Sequence, residues 1–260
     1  MELSYRQKEQ FYEQGYLVIP GVVPRIMVDD ALKAINHSLG QGIPQDQVIK
    51  YSAQTYSPEL TQSLAIADLY NRTPALTIAE SAIGAGCIRQ VKGGQIALRF
   101  PAMSEPPSQP RAHLDGMYTP TNGVKEGTIG NFTALLGVLL SELKEEFSGN
   151  FTVWPGSHFK HEAYFREHGP QSLLNGMPPV DIGSPVQIMG QPGDIVLVHY
   201  LLAHSAAQNE SSGIRYAIFF RLTHVDNDVQ KWDSMTDVWL QWAGVHEIVA
   251  EKKKLQFSKP

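Results

Sequence analysis

Residues 195–223 read IVLVHYLLAHSAAQNESSGIRYAIFFRLT, with apolar, β-branched runs on both sides of a polar segment. Runs of this kind, bounded by turn-forming residues, predict β-strands over Ile195–Tyr200 and Tyr216–Thr223. The polar run Asn209–Gly213 is rich in residues that favour turns and predicts a hairpin between its flanking apolar stretches. The stretch therefore indicates antiparallel β-structure in the C-terminal half of the chain.

The same texture begins near residue 90, where short apolar runs are separated by Gly and Pro. The further predicted strands are Gln95–Phe100, Ile129–Leu140, Asn150–Trp154 and Val186–Met189. Several short strands at such intervals are typical of a double-sheeted barrel rather than of βαβ units. We expect a mainly β fold, a double-stranded β-helix of the jelly-roll or cupin-like kind, with its core in residues 90–225.

Helical patterns flank this core on both sides. Residues 4–14, 23–39 and 58–85 predict N-terminal helices, with a break at Pro74 in the last segment and a strand at Tyr16–Ile19 after the first. Trp232–Trp242 predicts an aromatic-rich C-terminal helix. The chain is long enough for one sizeable core. We therefore expect a single domain, 1–260, with a mainly helical part at 1–89 and a C-terminal helix and tail at 226–260.

Composition excludes several classes of protein. The 260 residues are 42% hydrophobic and 18% charged, and the net charge of −5 gives no indication of a nucleic-acid-binding face. The single cysteine, Cys87, cannot form an intramolecular disulfide, and the N-terminus shows no signal-peptide pattern, so we expect a cytoplasmic protein. No segment approaches the ~20 apolar residues of a membrane span.

The residue types with metal-binding chemistry are two histidines and an aspartate. His113 and Asp115 stand two positions apart, so on a β-strand their side chains point to the same side and can share one metal ion. His204 follows 89 positions after Asp115. Two imidazoles and one carboxylate are the ligand set of an open non-haem Fe(II) site, which leaves coordination positions for substrates and O2.

Arg215 follows His204 by eleven positions. Folding the predicted hairpin at Ser211 brings Arg215 opposite Ala207, which is roughly 7–10 Å from His204 at strand spacings. A metal-chelating dicarboxylate would bridge that gap, with its 2-oxo acid end on the metal and its far carboxylate paired with the guanidinium group.

The chain resembles the phytanoyl-CoA dioxygenase-like Fe(II)/2-oxoglutarate oxygenases over most of its length to about residue 225. The matching segments are 9–21 (EQFYEQGYLVIPG), His113-Leu-Asp115, 149–158 (GNFTVWPGSH), Gly193-Asp194 and the run from His204 through Asn209 and Ser211 to Arg215. The resemblance implies that His113, Asp115 and His204 bind iron and that Arg215 binds 2-oxoglutarate. It also implies O2 as cosubstrate and hydroxylation of a small molecule, with release of succinate and CO2.

One departure from the family pattern concerns the residues after His204. The family usually has His-Gly-Ser, whereas this chain has His204-Ser205-Ala206, so the hydroxyl expected beside the cosubstrate at 206 is absent. Either the backbone departs from a regular strand there, so that Ser205 faces the cosubstrate, or another donor, such as Thr133, takes the role. Gln95, four positions before Arg99, matches a family tendency and implies a contact with the cosubstrate or the substrate.

Other interpretations remain open at this point. The departure at Ala206 favours a non-catalytic metal-binding barrel, a sensor or former enzyme, whereas a zinc hydrolase would leave Arg215 without a purpose. Desaturation or epoxidation would use the same oxidant as hydroxylation. The segments near 101–128 and 158–185 are expected to face the substrate, and Arg99, Tyr118 and Trp154 are candidate lining residues. His199 is an odd number of positions from His204 and is therefore interpreted as a packed histidine.

Overall fold

The computed structural model describes residues 1–102 and 106–257. Its strands form two antiparallel sheets. A five-stranded sheet has the order β1 (Tyr16–Ile19), β6 (Ile195–His199), β3 (Ala134–Leu139), β8 (Arg215–Leu222), β2 (Gln95–Arg99). A three-stranded sheet has the order β5 (Val186–Gln187), β4 (Phe151–Val153), β7 (His204–Ala206), and an isolated bridge pairs His113 with His204 at its β7 edge. The predicted strands are present, and β7 is an additional one.

The central strands β3 and β6 are buried along their whole length. Strands that are covered on both faces read as continuous apolar runs, which explains the uninterrupted hydrophobic sequence of Ile195–Val198. β2 alternates between buried and half-buried positions instead, and Gln95, Ala97 and Arg99 share its less buried face. That face lines the interior space between the sheets, where the candidate site lies.

Helices surround the sheets. They are α1 (Tyr5–Gln14), α2 (Arg25–Leu39), α3 (Val48–Ala53), α4 (Leu64–Asn71), α5 (Pro74–Ile83), α6 (Ser157–His168), α7 (Asn227–Gln230), α8 (Asp233–Thr236) and α9 (His246–Phe257). Local signals set their ends: Ser4 and Gln7 form a capping box at the start of α1, and Gly15 ends it in the left-handed conformation. Pro74 occupies the first turn of α5, as its fixed φ angle allows, and separates α5 from α4. Among the described residues, no helix is long and apolar enough to span a membrane.

The predicted hairpin between the segments that contain His204 and Arg215 is wrong. β7 pairs with β4, whereas β8 pairs with β2 and β3, so the two strands belong to different sheets. The turn itself exists: the Asn209 side chain donates to the carbonyl groups of Gly213 and Arg99, at 2.7 and 2.8 Å. The chain therefore crosses from one sheet to the other at this turn.

The helix predicted at Trp232–Trp242 is also wrong. α8 ends at Thr236 and α9 begins at His246, so Trp239 and Trp242 lie in the segment between them. Both indole rings pack against Phe11 of α1, with centroids 5.8 and 4.9 Å away. Both tryptophans are thus buried against a neighbouring helix, and their spacing does not indicate a helix of their own.

His199 lies in the core beside these rings, as the sequence predicts for a packed histidine. Its Nε2 donates to the Val238 carbonyl at 2.7 Å, and its Nδ1 accepts the Leu201 N–H at 3.0 Å, so the neutral ring satisfies both nitrogens. Burial lowers the pKa of His199 from 6.5 to about 4. Protonation would also remove the acceptor that Leu201 uses.

We predict that the free energy of unfolding falls as the pH decreases from about 6.5 towards 4. In that window the unfolded chain binds a proton at His199 and the folded chain does not, which is worth about 3 kcal/mol. Urea unfolding at a series of pH values measures the slope. A His199→Gln variant should make it shallower, although burial also lowers the pKa values of His158 and His161, whereas His37→Gln, at an exposed position, should leave it unchanged. Equal slopes in the two variants would contradict the assignment.

Candidate metal centre

Three predicted ligands meet at the edge of the three-stranded sheet. His113 and His204 exchange both backbone hydrogen bonds, at 3.0 and 3.1 Å, so their side chains project together from the bridge. Asp115, two residues after His113, lies on the same side. One ligand atom from each of the three residues falls within 4.8 Å of the others, and Asp115 Oδ1 is 3.7 Å from His113 Nε2 and 3.6 Å from His204 Nε2. The structure thus brings together His113, Asp115 and His204.

Neighbouring groups orient two of these ligands. His204 Nδ1 lies 2.9 Å from the Leu202 carbonyl, which only accepts, so this nitrogen carries the proton and Nε2 keeps its lone pair for a metal ion. Burial by itself would raise the pKa of Asp115. The positive charge of Arg221 counteracts burial and holds the pKa of Asp115 well below its usual value. The aspartate is therefore an ionised ligand.

Sequence reasoning missed Arg221, which contacts the third ligand directly. Its Nε and Nη2 lie 3.1 and 2.9 Å from Asp115 Oδ2, and its Nη1 donates to Gln95 Oε1 at 2.9 Å. The signal was available: Arg221 is six positions after Arg215, and an even separation places both side chains on one face of β8. Gln95, predicted to contact a substrate or cosubstrate, lines the space beside the candidate metal ligands and accepts this bond from Arg221.

A cavity of about 240 Å³, here called the inner cavity, extends from the three ligands into the space between the sheets. Arg215 and Arg99 both line it, and they are directly paired in the register of β8 and β2. Arg215 is buried and donates from Nε to the Gly149 carbonyl at 2.7 Å and from Nη1 to the Ala97 carbonyl at 3.1 Å. These bonds fix the guanidinium group but do not neutralise it.

The charge of the two arginines is uncompensated. Burial and the neighbouring Arg99 charge lower the pKa of Arg215 to about 9, and no carboxylate of the described residues pairs with either arginine. Like charges directly opposite each other on neighbouring strands are destabilising, and a buried cation ordinarily has a partner. This end of the inner cavity therefore favours a bound anion, and the candidate metal-binding residues lie at the other end.

The missing hydroxyl at position 206 is not supplied by Thr133. The Thr133 hydroxyl donates to Gln241 Oε1 at 2.6 Å and accepts the His224 N–H at 2.9 Å, and Thr133 lines neither cavity beside the metal ligands. The role predicted for Thr133 is therefore withdrawn. Ser205 and Ala206 both line the inner cavity.

A second, larger cavity of about 680 Å³, here called the outer cavity, opens on the other side of His113, Asp115 and Arg221. Of the predicted 101–128 segment, residues 103–105 lie outside the described part of the chain, and residues 113–124 supply much of the wall. The 158–185 segment supplies none of it, because α6 packs beside α8. Arg99 lines the inner cavity, but Tyr118 and Trp154 line neither. Residues 53–55 and 61–62 were missed as part of the outer wall.

Gly149 lets the two arginines approach the opposite sheet. It has φ +76°, and a Cβ atom there would lie 2.9 Å from Arg99 Cβ and 3.0 Å from Arg215 Cβ. We predict that Gly149→Ala costs about 1–3 kcal/mol more in unfolding free energy than Gly183→Ala. Gly183 has φ +78° with nothing within 4 Å, so it shares the backbone cost without the crowding. Equal losses in chemical denaturation would show that the site tolerates the methyl group.

Several solved structures share the fold of this chain. The carbocyclase SnoK from nogalamycin biosynthesis, described as a non-haem α-ketoglutarate-dependent enzyme, has 21% sequence identity, a TM-score of 0.55 and coverage of 88% of this chain and 90% of its own. HygX from Streptomyces hygroscopicus, solved with nickel and 2-oxoglutarate bound, has 19% identity, a TM-score of 0.55 and coverage of 86% and 88%. EctD from S. alaskensis, solved with bound Fe, has 18% identity, a TM-score of 0.52 and coverage of 86% and 78%. These likenesses show a common fold.

A search of curated proteins finds no match to this chain. The phytanoyl-CoA dioxygenase (PhyH) family model, by contrast, matches residues 11–217, a span that includes all three metal-ligand candidates and Arg215. The chain belongs to the phytanoyl-CoA dioxygenase family.

Proposed function

We propose that this protein is an Fe(II)- and 2-oxoglutarate-dependent dioxygenase that hydroxylates an unactivated C–H bond of a small molecule, with release of succinate and CO2. The observation that carries the proposal is the inner cavity, which has His113, Asp115 and His204 at one end and, at the other, Arg215, which pairs with no carboxylate in the described part of the chain. We further propose that the two sheets form one double-stranded β-helix and that residues 1–260 are a single domain.

The residues fit this metal and this cosubstrate. Two neutral imidazoles and one ionised carboxylate suit Fe(II), and leave one side of the metal open. A dicarboxylate with a 2-oxo group can chelate the metal and still present its second carboxylate to Arg215. The Arg99 charge adds to the attraction, since it lies directly opposite Arg215 in the sheet. HygX, which has the same fold, was solved with nickel and 2-oxoglutarate.

When bound, Fe(II) and 2-oxoglutarate would supply the activation of O2 that oxidises the substrate. The contribution of the chain is placement and exclusion of water. His113, Asp115 and His204 would hold the metal, and Arg215 would orient the cosubstrate through its remaining N–H groups. Leu135, Phe151 and Phe219 line the inner cavity with apolar surface, which strengthens the charge pairing within it. The outer cavity would admit the substrate beside the metal.

The alternative is a metal-binding protein without turnover, which Ala206 favours because the usual hydroxyl group is absent. Structures with this fold also include a carbocyclase and an epimerase, so hydroxylation is the proposed reaction among several that the oxidant allows. Product analysis after substrate identification distinguishes these reactions.

The test is to add Fe(II) and then 2-oxoglutarate to metal-free protein without oxygen, and to record the visible spectrum. A weak charge-transfer band from the chelate is expected, and admission of O2 should then release succinate. Iron binding without the band would overturn the proposed cosubstrate site. A band without succinate release, in the presence of a broad set of candidate substrates, would favour the alternative without turnover.

A further inference from the structure

We infer that the substrate of this enzyme is a carboxylate, bound in the outer cavity with its negative charge on Arg221 and Gln95. The inference rests on the proposed function, because it takes the metal and 2-oxoglutarate to occupy the other side of the site. It concerns Arg221 and Gln95, which line both cavities.

The charge of the whole site supports an anionic substrate. Among the described residues, three arginines but only one acidic group, Asp115, line the two cavities. A ferrous ion and the 2-oxoglutarate dianion cancel each other's formal charge, so their binding leaves the excess of positive charge unchanged. Arg215 and Arg99 face the inner cavity, whereas Arg221 lies between the two. An anion entering the outer cavity would therefore reduce the electrostatic cost of assembling the complex.

Arg221 is already fixed in position before any substrate arrives. Asp115 Oδ2 accepts from Nε and lies 2.9 Å from Nη2, Gln95 Oε1 accepts from Nη1, and the guanidinium carbon lies 5.7 Å from the centroid of the Phe132 ring. Its side chain nevertheless remains 45% exposed, whereas the paired Asp115 is 14% exposed. A preorganised and accessible guanidinium group binds an anion without first ordering a flexible side chain.

Unused donors lie at this position. Of the five guanidinium N–H groups, one donates to Asp115 and one to Gln95, and Nη2 lies 2.9 Å from Asp115 Oδ2, so at least two N–H groups have no acceptor among the described residues. Because a guanidinium group only donates, Gln95 must present Oε1 to it, which leaves the Nε2 amide of Gln95 free to donate as well. A planar carboxylate accepts two such N–H bonds at once. Apart from the candidate metal ligands, the rest of the described outer wall is uncharged and combines glycines, neutral polar residues such as Gln62 and Thr119, and apolar residues such as Met117 and Val124.

The experiment uses the Mn(II)-loaded protein saturated with 2-oxoglutarate, which holds the paramagnetic metal without turnover. The probes are carboxylates and their neutral amides: acetate with acetamide, benzoate with benzamide, and hexanoate with hexanamide. Proton relaxation of each probe reports its approach to the metal. We expect saturable enhancement for at least one carboxylate, with its amide binding at least tenfold more weakly. Arg221→Gln should weaken carboxylate binding by tenfold or more, Arg221→Lys by less, and the exposed control Arg72→Gln not at all.

Several outcomes would overturn the inference. They are equal binding of carboxylates and amides, unchanged carboxylate binding in Arg221→Gln, no saturable enhancement for any carboxylate, and loss of the enhancement when 2-oxoglutarate saturates the site. The last would place the anion in the inner cavity. Arg221 contacts Asp115, so its substitution also affects a metal ligand. Gln95→Leu is therefore a second variant, at a residue that contacts no metal ligand, and it should also weaken carboxylate binding. Failure of the charge-transfer band would reject the proposed function, whereas a normal band with no carboxylate preference would reject only the substrate class.

Discussion

An Asp115→Ala variant is expected to lose affinity for Fe(II) or Co(II) by more than about 100-fold, which exceeds the usual effect of a residue that only supports a ligand. The carboxylate is the only anionic group among the three ligands, and its Oδ1 lies within 3.7 Å of both imidazole Nε2 atoms. Without it, two neutral imidazoles and the Arg221 cation would face the incoming metal ion. Calorimetric titration of the metal-free protein with Co(II) measures the change.

Two controls separate ligand loss from other effects of this substitution. Asp226→Ala removes a carboxylate 3.8 Å from the ring of His224, outside the candidate site, and should leave metal affinity unchanged. Asp115→Asn preserves side-chain volume and should also bind metal poorly, since the amide is a weaker donor without charge. Unaltered Co(II) affinity in both Asp115 variants would exclude this residue as a ligand. Thermal unfolding of each variant confirms that the chain remains folded.

An Arg215→Met variant is expected to lose 2-oxoglutarate affinity by more than about 30-fold, because removing one partner of a buried charge pair costs 2–5 kcal/mol. Arg215 is 3% exposed, and its charge has no carboxylate partner among the described residues. Metal affinity should not change, since Arg215 contacts none of the three ligands in this structure. The charge-transfer band, followed as a function of 2-oxoglutarate concentration, gives the dissociation constant.

The same variant has a second expected effect that a purely structural arginine would not show. Replacing a buried, unpaired cation by an apolar side chain of similar length is often neutral or stabilising. We therefore expect the metal-free Arg215→Met protein to unfold at the wild-type denaturant concentration or a higher one, although 2-oxoglutarate no longer stabilises it. Arg215→Lys should retain part of the affinity, because it keeps the charge but loses the planar fork. Wild-type 2-oxoglutarate affinity in Arg215→Met would exclude the proposed anchor.

Short-range patterns were sufficient for much of the structure. The strands at 95–99, 195–199 and 215–222, the capped start of α1 and the break at Pro74 all depend on neighbours within a few positions. The closeness of His113 and Asp115 is also local, because they are two positions apart, although His113 forms an isolated bridge and Asp115 lies in the following turn rather than on a regular strand. The kind of metal that the site favours can also be predicted from the sequence, since the metal preferences of imidazole and carboxylate groups follow from their own chemistry.

The sequence by itself thus determined which residues could bind a metal and an anion, and which of them share a side of their own strand. Only the tertiary structure decided that His204 pairs with His113, that Arg215 faces Arg99 across β8 and β2 rather than lying in a hairpin with β7, and that Arg221 holds Asp115. The physical reason is that side-chain alternation belongs to one strand, whereas the choice of partner strand depends on how the whole chain buries its apolar faces. Thr133 illustrates the difference: its hydroxyl group suits the predicted role, but the packing of residues 224–241 gives it other partners.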